Sequence, residues 1–326
     1  MDDLTIIALG QKVLSGIAIT YDEALALENI KDEDIPLLSA FAHKIRHKFA
    51  GDKVDLCGII NARSGLCSEN CKFCAQSVYH QTDCPTYSLL GRAEIVKQAQ
   101  AIALAGAKRT SLVTSGKGME GDPDFPQVVE SLQAIGKATG LKVCANLGTL
   151  TEQQAQILFR TGVKRYAHNI ETSARFYPNV CTTHPYEERL ATIKAAKAAG
   201  MELCTGGIIG LGESWADRVA MAFVLQGLDV DSVPINILNP IKGTLLEQQP
   251  PLSALEILKT FALFRFLLPG KIIRPAGGRE INLRDMQGAL MLGGANGLII
   301  GNYLTFSGRN SPADFTMVQD AGLFPA

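Results

Sequence analysis

The chain has 326 residues, of which 47% are hydrophobic and 19% charged, and its formal net charge is −1. This composition fits a folded globular chain and excludes extensive disorder. The balanced charge provides no global basic field, so neither nucleic acid nor an anionic membrane is expected as a partner.

The opening stretch, MDDLTIIALG, is acidic and has no basic segment ahead of a long apolar run, so no signal peptide is expected. Helical periodicity runs through TIIALGQKVL, DEALALENI and IPLLSAFAHKIRHKFA, which predicts an N-terminal helical segment over residues 1–50. From residue 54 short apolar runs alternate with Ala-rich amphipathic stretches. Strands are predicted at 54–60, 109–115, 141–147, 165–170, 201–210, 232–238, 271–277 and 297–301. Helices are predicted between them, among others at 94–107, 152–162, 186–200 and 253–267, several ending in glycine as a C-terminal cap should. Eight strand–helix units at this spacing predict an α/β chain, a (β/α)8 TIM-type barrel over 51–326 with the N-terminal helical extension. An open doubly wound sheet is the alternative. It is disfavoured because polar and sulfur residues recur inside the strands, where an open sheet wants them almost wholly apolar. Residues 286–308 carry no charge but contain six glycines and two asparagines, so they read as a buried helix running into a buried strand, not as a membrane span.

The eight cysteines stand at 57, 67, 71, 74, 84, 144, 181 and 204. Clustered cysteines in a long chain without a leader point to metal binding before disulfides. Cys67-x3-Cys71-x2-Cys74 follows the first strand, at the barrel end where such folds do chemistry. Thiolates so spaced can converge on an iron–sulfur cube, and three ligands leave one iron open to a chelating substrate. Zinc is the alternative, with Cys84 as a fourth ligand.

CSENCKFCAQS resembles the radical S-adenosylmethionine (SAM) signature, with Phe73 at its aromatic position. The blocks VCANLGTLTEQQAQ, YAHNIETSARFYPNV, TTHPYEERLATI, CTGGIIGLGE, SVPINIL, KGTLL and RPAGGRE are similar, in order, to those of the biotin synthase family. The resemblance runs from about residue 50 to the C-terminus, which would include a C-terminal biotin/thiamin-synthesis-associated region, and it disfavours zinc. It implies a sulfurtransferase that converts dethiobiotin to biotin. Reductive cleavage of SAM would provide the hydrogen-abstracting radical, and an auxiliary iron–sulfur cluster would provide the sulfur. It further implies a SAM-chelating 4Fe–4S cluster on Cys67, Cys71 and Cys74, with an electron donor such as flavodoxin or ferredoxin. A homodimer in the cytoplasm is implied as well. Arg189 matches an arginine that pairs with the SAM carboxylate, Asn169 and Glu171 match groups for the SAM ribose and the substrate ureido ring, and Asn236 matches a substrate contact. Gly206 and Gly207 match a strand end that lets backbone approach SAM. Two rivals stay open: another barrel radical SAM enzyme, hydrogenase maturase-like or a mutase, and a non-catalytic iron–sulfur or zinc protein.

The sequence departs from the family at the auxiliary cluster. A 2Fe–2S cluster there takes three cysteines and an arginine; Cys144, Cys204 and Arg274 match, but the remaining cysteine position is Ser111. Cys57, on the adjacent strand, is expected to replace it, because neighbouring strands lie only about 4.8 Å apart. The expected set is Cys57, Cys144 and Cys204 with Arg274 nearby, around a cluster that is either 2Fe–2S or larger. Ala167 also replaces a frequent asparagine, which shifts ureido recognition to Asn169 and Asn236. No role is assigned to Cys84 or Cys181, nor ligand spacing to any histidine, and His168 is expected to pack in the core.

Overall fold

The structure is a computed structural model that describes all of residues 1–326. Its strands are β1 (Lys53–Arg63), β2 (Arg109–Thr114), β3 (Lys142–Asn146), β4 (Arg165–Ala167), β5 (Glu202–Cys204), β6 (Gly207–Ile209), β7 (Ser232–Ile237), β8 (Ile272–Pro275), β9 (Gly297–Ile299) and β10 (Phe324–Pro325). They pair in parallel in the order β9-β1-β2-β3-β4-β5-β7-β8, with β6 continuing the β5 stave alongside β7. β10 caps the start of β1. The predicted eight-stave barrel is therefore present, with helices in the connections between strands.

Two departures from the expected strands have physical causes. The stretch expected as one strand over 201–210 is two, β5 and β6, interrupted at Thr205 and Gly206. The neighbouring strand carries Pro234 at this level, and proline has no N–H to give the ladder. The second lies at the closing seam. Between β8 and β9 the Asn296 N–H donates to the Ile273 carbonyl at 3.0 Å, and the Asn296 Oδ1 accepts from the Ile273 N–H at 2.9 Å. The same oxygen accepts from Arg265 Nη2 at 2.7 Å. Gly297 permits the approach, since a Cβ there would stand 2.8 Å from Ile272. Asn296→Ala leaves the buried Arg265 guanidinium and the Ile273 N–H short of an acceptor. A loss of about 2–3 kcal/mol of stability is expected in denaturant titration.

The N-terminal helices lie against the barrel's outer helices. The helix Ile35–Ala50 packs on Ala254–Leu267, which is buried along nearly its whole length because the barrel covers its other side. Trp215 Nε1 donates to the Ala24 carbonyl at 3.0 Å and Lys259 Nζ to that of Glu28 at 2.7 Å. Residues 286–308 form a short helix, Gln287–Leu292, then β9 and an irregular stretch. No helix is long and apolar enough to cross a membrane.

Candidate active site

Side chains on a strand alternate between its faces, so residues two apart point the same way. On the barrel's inward face this brings together Cys57 and Ile59 of β1, Ser111 and Val113 of β2, Cys144 and Asn146 of β3, and Arg165 and Ala167 of β4. All line one cavity of about 330 Å³, as do Cys204, Asn236 and Arg274. In the ladder Ser111 lies beside Cys144, which lies beside Arg165. Ser111 also pairs with Ile59, so Cys57 stands one inward position below that pairing. The thiols of Cys57, Cys144 and Cys204 are close enough to feel one another's charge, and burial pushes Cys57 and Cys144 up.

Below them lies an ionic floor that the sequence reading missed. Asp55, two residues before Cys57, is ringed by Arg274, by Arg109 at 3.0 Å and by Arg165 at 3.8 Å. Burial opposes ionisation of Asp55, but the three guanidiniums outweigh it and bring the carboxyl down to about 2. Glu202 closes the ring from the rim, 2.8 Å from Arg165 and 3.3 Å from Arg109. Only the inward periodicity of Asp55 with Cys57, and of Arg109 with Ser111, signals this in the sequence.

The cysteine loop crosses one side of the barrel mouth. Gly65 and Leu66 take left-handed backbone to turn the chain, with φ of 77° and 52°. The Cys67 N–H then bonds the Gln76 carbonyl and the Cys74 N–H that of Cys71. Phe73 and Cys74 line the cavity; Cys67 and Cys71 do not. The charges of Cys67 and Cys74, and of Cys74 and Cys71, are felt between them, yet the three thiols do not gather within the 4.8 Å that a single ion would require. This argues against one zinc held by these three thiols together, since its bonds to sulfur are only about 2.3 Å long. Burial pushes Cys74 up to about 12, so iron must displace a proton to bind there. Cys84 is half-buried and its sulfur lies 3.8 Å from Ser64 Oγ.

Asn169 and Glu171 share the cavity face, and Glu171 takes a left-handed φ of 66°. Strain of this kind persists only where surrounding contacts enforce it. Asn169 Nδ2 donates to Glu171 at 3.3 Å, and its Oδ1 accepts from the Gly206 N–H at 3.2 Å. Arg189 is buried behind them. Its Nε donates to Tyr177 Oη at 2.7 Å and its Nη1 to the Asn169 carbonyl at 2.9 Å, leaving Nη2 uncommitted. Asn236 accepts from the Gly277 N–H at 3.0 Å and donates to the Gly207 carbonyl at 3.3 Å, which leaves one amide hydrogen for a ligand. His168 is buried and stacks on Tyr166, as expected of a core histidine, though its Nε2 finds no partner. Gly206 and Gly207 do not line the cavity. A Cβ on Gly206 would meet the Pro234 carbonyl oxygen at 1.9 Å, and one on Gly207 that of Glu171 at 2.4 Å. Close packing is by itself enough to require glycine at both positions. Gly206→Ala is expected to cost about 4 kcal/mol or more, read as a fall in the thermal midpoint.

The radical SAM superfamily description matches residues 63–225, and that of the biotin and thiamin synthesis associated domain matches 234–324. The biotin synthase of Carboxydothermus hydrogenoformans is 52% identical over 98% of this chain and 98% of its own, and that of Clostridium acetobutylicum 50% identical over 98% and 97%. The chain belongs to the biotin synthase family. Among solved structures, methylornithine synthase superposes over 98% of this chain and 97% of its own (TM-score 0.86, 21% identical). HydG, a maturase of the [FeFe]-hydrogenase, covers 100% and 76% (TM-score 0.85, 18% identical). At such identities these two establish the barrel fold alone, so the maturase-like and mutase readings gain nothing from them.

A biotin synthase family member needs room for a SAM-chelating cluster, SAM, a substrate and a sulfur source. The residues present fit. Ser111 Oγ and Arg274 Nε are buried at the cavity wall without a protein partner, as polar groups are where a bound group completes them. Three thiols face the same space, a donor set suited to iron and sulfide.

Proposed function

We propose that this chain inserts sulfur into dethiobiotin to form biotin, as a radical SAM sulfurtransferase. The observation that carries the reading is one cavity walled by Cys57, Cys144 and Cys204 and roofed by the cysteine loop through Phe73 and Cys74. Near-full-length relatives named biotin synthase support it.

Cys67, Cys71 and Cys74 hold the 4Fe–4S cluster, and Cys57, Cys144 and Cys204 the auxiliary one. When bound, these groups and SAM supply the electron, the hydrogen-abstracting radical and the sulfur. The protein's share is to orient and to exclude. Arg189 is pre-set by Tyr177 and the Asn169 carbonyl so that Nη2 meets the SAM carboxylate. Asn169 and Glu171, bonded to each other, face the ribose and the ureido ring, and Asn236 offers its remaining amide hydrogen to the substrate. Arg274 is paired with Asp55 and so stays a guanidinium. In that form it is a poor iron ligand and a good charge partner for an anionic cluster. Three thiolates and no arginine ligand favour an auxiliary cluster larger than 2Fe–2S. A flavodoxin or ferredoxin donor and a homodimer complete the reading.

Anaerobic reconstitution with iron and sulfide, followed by dethiobiotin, SAM and reductant, tests it. Biotin and 5′-deoxyadenosine are expected together; deoxyadenosine without biotin would leave only the radical SAM part standing. Arg189→Lys keeps the charge but loses the planar fork, and a KM for SAM about 10-fold higher is expected from steady-state rates.

A further inference from the structure

The loop after the fourth stave brings a thiol and an imidazole against the SAM-cluster cysteines. The ligand atoms of Cys71, Cys181 and His184 all lie within 4.8 Å of one another, and all three residues are buried. A polar nest fixes their placement. Asn70, in the cysteine loop, accepts at Oδ1 from the Thr182 and Thr183 N–H groups at 2.9 and 3.3 Å. Its neighbour Glu69 accepts from Thr183 Oγ1 at 2.7 Å and from His184 Nδ1. The Lys72 N–H donates to the Val180 carbonyl at 3.0 Å. Two segments more than 100 residues apart are thus clamped together at the point where Cys71 would meet iron.

Within this nest Cys181 Sγ lies 3.4 Å from each of Asn70 Oδ1, Thr183 Oγ1 and His184 Nδ1. The amide oxygen of Asn70 is within reach of the Cys181 S–H at 3.4 Å but already accepts two backbone N–H groups, which engage both its lone pairs. His184 Nδ1 faces the Glu69 carboxylate and so carries its proton toward it. Thr183 Oγ1 gives its proton to Glu69 and accepts from the Asn70 N–H at 3.2 Å. The strongest acceptor left to the Cys181 S–H is the sulfur of Cys71, which is a thiolate once it binds iron.

We propose that Cys181, held by the Glu69–Asn70 clamp, donates an S–H hydrogen bond to the Cys71 sulfur and thereby raises the reduction potential of the cluster that Cys71 carries. The inference rests on the reading of Cys67, Cys71 and Cys74 given above. Reduction adds negative charge to the cluster and its thiolates, so a donor on a ligand sulfur stabilises the reduced form more than the oxidised one. SAM cleavage starts from that reduced form. Cys181 is accordingly a positioning and tuning residue that never touches substrate, and Glu69 and Asn70 set its aim.

The test is an EPR-monitored redox titration of the anaerobically reconstituted full chain, with iron and zinc counted. In Cys181→Ala the midpoint should move to lower potential at unchanged iron content, and Cys181→Ser, which restores a hydroxyl donor, should return toward the parent value. If the alanine variant fails to hold iron, Cys181→Val, which keeps bulk and drops the donor, is read in its place. Loss of iron from both apolar variants with retention in the serine variant also supports the hydrogen bond. A loaded apolar variant with the parent midpoint overturns the proposal, as does a serine variant that follows the apolar ones. Loss of iron from all three makes Cys181 a packing residue and likewise overturns it, as does zinc found on Cys71, Cys181 and His184 in the iron-loaded parent. Cys71→Ala separates the two claims. If it keeps the SAM-responsive EPR signal, the reading of the site fails. If it loses that signal while the apolar Cys181 variants titrate like the parent, only the hydrogen bond fails.

Discussion

Cys71→Ala is expected to abolish 5′-deoxyadenosine and biotin formation together, a loss well beyond the roughly 10–100-fold that removing an outer partner of a metal site brings. The iron remaining should correspond to the auxiliary cluster, because Cys57, Cys144 and Cys204 line a cavity wall that Cys71 does not reach. The fold should survive. Cys71 lies in an irregular loop whose shape is set by backbone bonds and by the Asn70 and Glu69 clamp rather than by its own sulfur. Iron counting, Mössbauer spectra and product analysis on one sample check all three statements. Biotin formation persisting at a measurable fraction of the parent rate would remove Cys71 from the cluster.

The barrel was legible because its strands are local: each is a short apolar run bounded by turn residues, and all but the one expected over 201–210, which is split in two, overlap the stretches the pattern gave. The common cavity of Cys57, Cys144 and Cys204 was legible for the same reason, since inward periodicity and strand order are both local rules. What escaped depends on partners distant in sequence. The break between β5 and β6 is imposed by Pro234 on another strand. Asp55 reads as one acid in a strand until the barrel closes and brings Arg109, Arg165 and Arg274 around it. Cys181 and His184 show no ligand spacing toward the cysteine triplet, because their link to it is tertiary. Gly206 and Gly207 resemble a SAM-approach motif by sequence, while their packing against the Pro234 and Glu171 carbonyls appears only in three dimensions.

The ionic floor eases the charging of a cavity lined by two buried thiols, Cys57 and Cys144, and the half-buried Cys204. Burial alone drives Cys57 and Cys144 toward the protonated form, and the guanidiniums of Arg165, Arg109 and Arg274 pull the other way. Asp55 keeps that cationic group compact and fixed in place. The three arginines thus offset part of the burial cost of the thiolates that iron binds.

Cys57→Ala is expected to uncouple the two halves of the reaction. The cysteine loop is untouched, so SAM cleavage to 5′-deoxyadenosine should persist, while biotin falls to background because the sulfur source loses one of its three thiolates. Ser111 offers a way to show that the position, not the fold, is responsible. It is inward, buried, without a hydrogen-bond partner, and in register with Cys144. A thiol in its place would face the same cavity from the neighbouring strand. Cys57→Ala combined with Ser111→Cys should therefore recover an auxiliary cluster, and the added arsenal is only one sulfur moved between adjacent staves. Since Arg274 remains paired with Asp55, the recovered cluster should keep the iron-to-sulfide ratio of the parent, read by chemical analysis and Mössbauer spectra. An auxiliary cluster unchanged in Cys57→Ala alone would show that Cys57 is a small buried side chain and that another group completes the site.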